Sequence, residues 1–108
     1  MRFVAKITIV GSGNVAQQLG PALKNSGHRI HEICSRNAKT GKPLAKKTEA
    51  SYLHDIQNIT DTSGIVIIAV KDDAIQEVIK KLPVLKNSLV IHTSGATDIS
   101  ILKKKFKN

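Results

Sequence analysis

The run Gly11-Ser12-Gly13-Asn14-Val15-Ala16 constrains this chain more than any other stretch. Ahead of it, residues 4–10 alternate weakly and then turn apolar through Ile7, Ile9 and Val10, the pattern of a buried strand. Behind it, Val15, Ala16, Leu19, Ala22 and Leu23 recur at helical spacing until Asn25-Ser26-Gly27 stops them as a helix C-terminus does. Strand, glycine turn and helix open a βαβ unit. In that setting G-x-G-x-x-A reads as a dinucleotide-binding turn. Gly11 permits the tight turn, Gly13 lets backbone approach a pyrophosphate, and the small Ala16 lets the helix pack close to the strand. The helix start, at Asn14 and Val15, then offers free N–H groups and a positive dipole end to phosphate. The motif alone is weak; its place between a strand and a helix is what gives it weight.

The rest of the chain continues the alternation. Residues 29–34, with Ile30 and Ile33, read as a second strand, and residues 38–50 as a short basic helix that tolerates Pro43 only in its first turn. Tyr52-Leu53 is a brief third strand. Residues 64–70, β-branched and uncharged, predict a central parallel strand covered on both faces. Asp72 and Asp73 are expected as N-caps of a helix whose buried face carries Ile75, Val78, Ile79 and Leu82 and which Pro83 ends. Residues 89–92 predict another buried strand, and Ile99, Ile101, Leu102 and Phe106 a short closing helix in a Lys-rich tail. Leu89, Ile91, Ile99, Leu102 and Phe106 are expected to leave an apolar surface prone to self-association. Strands alternating with helices specify an α/β fold: a Rossmann-type open parallel sheet, strand order 3-2-1-4-5, with right-handed crossovers. At 108 residues a single domain over 1–108 is expected.

Composition excludes several classes. Cys34 has no partner for an intrachain disulfide, and the six-residue apolar run at 65–70 is far short of the ~20 residues that cross a bilayer. A cytoplasmic protein without membrane attachment is expected. A net charge of +9 makes an anionic ligand plausible, whereas 3% aromatics leave almost none of the stacking platforms of single-strand nucleic-acid binders, so nucleic acid is a poor fit. Gly41-Lys42 is followed by Pro43 and lacks the upstream glycine of an NTPase phosphate loop, and reads as a loop lysine. The first strand has no acid ahead of its glycines, which weakens a methyl-donor reading. His28, His31 and His54 lack the spacing of a metal site and read as surface or core residues.

The choice of dinucleotide is made after the second strand, where an acid would hold the ribose 2′-OH of NAD and a basic residue would accommodate the 2′-phosphate of NADP. Cys34-Ser35-Arg36-Asn37 stands there, followed by Lys39, and the nearby carboxylate, Glu32, lies inside the strand. NADP is the expected cofactor, with Ser35 and Arg36 as contacts and Lys39 as a third. Ligands in such sheets sit outside the carboxyl ends of the strands. Ala69, Val70 and Lys71 would therefore line the path toward the nicotinamide, and His92, Thr93 and Ser94 would lie nearest it. His92 and Ser94 have no triad acid, so hydrolase chemistry is set aside.

These segments together, with Ala74-Ile75 after Asp73 and Gly95-Ala96 after Ser94, resemble the N-terminal part of bacterial Rossmann-like proteins assigned as NADP oxidoreductases. In those proteins an NADP-binding domain is joined to a helical domain of unknown function, and they are related to pyrroline-carboxylate reductases and deazaflavin-dependent NADP reductases. The resemblance covers essentially the whole chain. It implies that residues 11–16 and 34–36 hold the phosphates, 69–72 the ribose side and 92–95 the nicotinamide side. It also implies hydride transfer to or from a small carbonyl or imine substrate, and a homodimer at full length. Similar proteins run on into a helical domain that closes the substrate pocket, so this chain is expected to be the N-terminal part of a longer two-domain protein, or a truncated product. Two rivals remain: a non-catalytic NADP-binding regulatory module, and a basic anion- or nucleic-acid-binding domain.

Overall fold

The computed structural model describes residues 5–61 and 64–93. Five strands, β1 (Lys6–Val10), β2 (Arg29–Cys34), β3 (Ser51–Leu53), β4 (Ile65–Ile68) and β5 (Leu89–His92), pair in parallel in the order β3-β2-β1-β4-β5. This is the sheet the sequence predicts. Helices α1 (Asn14–Asn25) and α2 (Ala38–Thr48) cover one face, α3 (Asp72–Lys81) and a 3-10 turn (Ile56–Asn58) the other. The closing helix expected from Ile99, Ile101, Leu102 and Phe106 lies outside the described residues.

Alternation along the strands sends side chains into two cores. Ile7 and Ile9 meet Ile30, Ile33, Leu44 and Ala16 beneath α1 and α2. Val10, Val66 and Ile68 meet Cys34 and Ile59, with Val78 and Leu82 of α3 packed against them. Ile30 and Ile33 are three residues apart yet share one face, which a regular strand forbids. The pairing explains it. Ile7 faces Ile30 but Thr8 faces Glu32, so the register slips past His31 and restores the alternation.

Several expectations are corrected. Pro43 is the sixth residue of α2 and not in its first turn; the carbonyl it leaves unpaired belongs to Lys39, which is exposed, so water can satisfy it. Lys42 stands on this helix, not on a loop, with its ammonium 5.9 Å from the centre of the Tyr52 ring. Lys71 occupies the N-cap position of α3, which puts Asp72 and Asp73 in its first turn. Ile79 is 48% exposed and so lies off the buried face defined by Ile75, Val78 and Leu82. β5 is the last strand of the sheet, and Ile91 alone of its residues is buried. Ile91 therefore adds nothing to an exposed apolar surface, while Val90 does.

Candidate functional site

Four backbone hydrogen bonds level the carboxyl edge of the sheet. Gly11 N–H donates to Cys34 O (2.8 Å), Ser35 N–H to Leu53 O (2.9 Å), Ala69 N–H to Val10 O (2.8 Å) and Thr93 N–H to Ile68 O (3.1 Å). The segments leaving β1, β2, β4 and β5 are thus held side by side. Between them opens a crevice of about 1010 Å³, at the upper end for small-molecule sites and roomy enough for a dinucleotide. It lies where the strand order reverses, between β1 and β4, the switch point at which open α/β sheets take their ligands.

The glycine turn forms one wall. Gly11 adopts φ +121°, and a Cβ there would stand 2.4 Å from Ala69 O, so only glycine fits. Gly13 is different. Its φ is −82°, and a Cβ built on it meets nothing within 4 Å, so the space above it belongs to the crevice and not to the protein. No side chain caps the start of α1, which leaves its leading N–H groups without that competitor. Gly11, Ser12, Gly13, Asn14 and Val15 all line the crevice. Ala16 does not: it is wholly buried against the sheet, where its smallness lets the helix approach. The Ser12 hydroxyl turns sideways to Ser35 Oγ (2.7 Å) and Thr40 Oγ1 (2.6 Å).

The turn after β2 supplies the second wall. Ser35 and Arg36 line it, with Arg36 exposed; Lys39 stands exposed on the first turn of α2, outside the wall. Glu32 is 4% exposed and engaged elsewhere, accepting from Thr8 Oγ1 (3.1 Å) and Thr60 Oγ1 (3.0 Å). The end of β2 therefore presents a guanidinium and no carboxylate. Asp55, after β3, does reach the crevice, and its Oδ1 caps the 3-10 turn by accepting from Gln57 N–H (3.0 Å). Cys34 forms part of the floor. Burial first, then the charges of Asp55 and Glu32, push its thiol up to about 11, so it stays protonated and unreactive at neutral pH.

The third wall comes from β4 and α3. Ala69, Val70, Lys71 and Thr93 line it, but His92, the last residue of β5, is half-buried and does not line the crevice, and Ser94 lies outside the described residues. Sequence reasoning followed the apolar face of α3 and missed its crevice face, Asp73, Glu77 and Lys81, which recurs every four residues and was legible from that spacing. Glu77 accepts from Lys81 Nζ (3.0 Å), and that bond and charge, with the Arg36 guanidinium adding, hold its carboxyl below the usual carboxylate range. Arg36 is thus felt across the crevice. Among the described residues no group of three or more His, Cys, Asp or Glu could hold a metal ion, and no helix is long and apolar enough to cross a membrane.

A doubly wound parallel sheet with a glycine turn at its switch point defines a Rossmann domain of the dinucleotide-binding class. Residues 6–95 match the family described as NADP oxidoreductase, coenzyme F420-dependent, and the chain belongs to that family. A Bacteroides fragilis protein assigned as an NADP oxidoreductase has a crystal structure that superposes with a TM-score of 0.74 at 30% identity, over 85% of this chain and 36% of that one. A reductive aminase from Aspergillus terreus, solved with NADPH and ethyl-5-oxohexanoate, shares the fold at 20% identity and a TM-score of 0.60, over 85% of this chain and 32% of its own. Among curated proteins, the pyrroline-5-carboxylate reductase of Aquifex aeolicus is 25% identical over 85% of this chain and 35% of its own length. A shikimate dehydrogenase-like protein of Haemophilus influenzae is 39% identical over 50% of this chain and 20% of its own. The chain therefore spans between a fifth and about a third of the length of these relatives.

Proposed function

We propose that residues 1–108 form the NADP(H)-binding domain of an oxidoreductase that moves a hydride to or from a small carbonyl or imine substrate. The observation that carries this reading is the end of β2, where Arg36 faces the crevice while Glu32 is buried and engaged with two threonines. The open space above Gly13 and the uncapped start of α1 fit a pyrophosphate. Arg36, with Ser35, fits the 2′-phosphate, which a guanidinium binds through paired charged hydrogen bonds. Val70, Lys71 and Thr93 would then flank the nicotinamide. Bound NADPH supplies the hydride; the protein's part is to hold its phosphates and exclude water from one face. Relatives named as a reductase and a dehydrogenase-like protein support the reaction class. A homodimer at full length and a cytoplasmic location belong to the same reading.

Replacing Arg36 with Ala tests it. A charge-assisted hydrogen bond contributes ~1.5–3 kcal/mol, so R36A weakens NADPH by roughly 10- to 150-fold in a fluorescence titration, and NADH much less. An equal loss for both cofactors would show that Arg36 holds something other than the 2′-phosphate.

A further inference from the structure

Three hydroxyls tie the two phosphate-facing turns together. Ser12 Oγ, from the glycine turn, sits between Ser35 Oγ at 2.7 Å and Thr40 Oγ1 at 2.6 Å, both from the segment that follows β2. Each hydroxyl has one proton to give and can accept twice, so Ser12 either accepts from one neighbour and donates to the other or accepts from both. Ser35 Oγ also accepts the Asn37 N–H at 3.1 Å, and Thr40 Oγ1 has Asn37 O within 3.3 Å as a second acceptor. Gln17 adds a brace. Its Nε2 lies 3.0 Å from Ser12 O and 3.2 Å from Thr40 O, so both amide hydrogens are used, one on each turn. Tyr52 O–H donates to Ser35 O at 2.5 Å and holds the segment from below.

When Ser12 passes its proton on, the string runs in one of two directions. From Ser35 through Ser12 to Thr40 it ends on Asn37 O. From Thr40 through Ser12 to Ser35 it leaves the Ser35 proton free for a ligand, and Asn37 O, 3.4 Å from Ser35 Oγ, is a weak competitor for it. An anion at the end of β2 selects the second direction, and each bond in the string then polarises the next.

We propose that Thr40 and Gln17 are positioning residues that clasp the glycine turn to the turn after β2, so that preference for the 2′-phosphate depends on two side chains that need touch neither phosphate. This rests on the crevice being the NADP site. The clasp fixes the spacing between a pyrophosphate and a 2′-phosphate. NADH lacks the second group and is indifferent to that spacing.

The test titrates NADPH and NADH into the full 108-residue chain and its variants, with thermal unfolding as the check on folding. Thr40 is exposed but its hydroxyl holds buried Ser12, so Thr40→Val keeps the fold and lowers the unfolding temperature by several degrees at most, the loss of about one hydrogen bond. It raises the Kd for NADPH about 3- to 10-fold, the size of one neutral hydrogen bond, and that for NADH less than about twofold. Thr40→Ser restores the preference, and Gln17→Leu repeats the loss. In a Ser12→Ala background Thr40→Val has no further effect, because its partner is already gone. If Thr40→Val keeps the full effect there, Thr40 touches the cofactor itself and the clasp is overturned. An unchanged preference in Thr40→Val, or equal losses for both cofactors, also overturns it while leaving the site reading intact. Failure of the unmodified chain to bind NADPH brings down the site reading, and the clasp with it.

Discussion

Gly11 and Gly13 are two residues apart and answer to different constraints. Gly11 is required by the protein, since its positive φ and the Ala69 carbonyl 2.4 Å from any Cβ admit no side chain. Gly13 is required, on our reading, by the ligand alone. Gly13→Val should therefore fold with an unfolding temperature close to that of the parent and lose NADPH binding, whereas Gly11→Ala should unfold well below the parent. Calorimetry beside a fluorescence titration separates the two, and a Gly13→Val protein that binds NADPH as the parent does would remove the pyrophosphate from this turn. The sequence assigned Gly11 the tight turn, which its positive φ and the Ala69 carbonyl bear out, and Gly13 the approach to a pyrophosphate, which the titration above tests. It could not show that Ser12 turns away toward Thr40, or that Lys39 and His92 stand outside the walls. Those outcomes depend on side-chain direction, which spacing does not encode.

At the scale of elements, α2 is packed tightly enough to reverse a helix-propensity rule. Gly41 is buried, and a Cβ there would lie 2.6 Å from Tyr52 Cε1 and 3.0 Å from Ser35 Cβ. Alanine in a helix interior is ordinarily favoured over glycine by ~1 kcal/mol, but overpacking a filled site costs about 1–3 kcal/mol. The Tyr52 ring is anchored by its bond to Ser35 O and has little freedom to yield. Gly41→Ala should thus lower the urea midpoint, and a raised midpoint would mean that the ring swings aside. The order and kind of the elements were legible because strong apolar runs, glycine stops and proline breaks alternate without ambiguity. Pro43 is sixth in the expected helix as well, and what the sequence could not show is that the preceding turn is exposed at Lys39 and so tolerates the lost bond. The crevice face of α3 was passed over because attention to burial overlooks the polar residues on the opposite rows.

For the whole molecule, the crevice walls come from a chain that spans about a third of the Bacteroides fragilis protein's length. On the proposed reading, the described walls toward the nicotinamide are Val70, Lys71 and Thr93, too few to enclose and orient a small substrate against water. The 108-residue chain should therefore bind NADPH yet show no steady oxidation of it, followed by absorbance, against a panel of carbonyl and imine substrates. Sustained turnover by the monomer would show that the walls present suffice.

The slipped pairing at His31 lies near the amino ends of β1 and β2, three pairs short of the ligand edge. Beyond it Val10 and Cys34 come level, and Gly11 meets Cys34 O. An extra residue has been taken up at the end of the sheet far from the crevice, so the three pairs beyond it stay in step and the rim is left level. The irregularity is absorbed at the foot of the ladder, and the top rung is set as if it were not there.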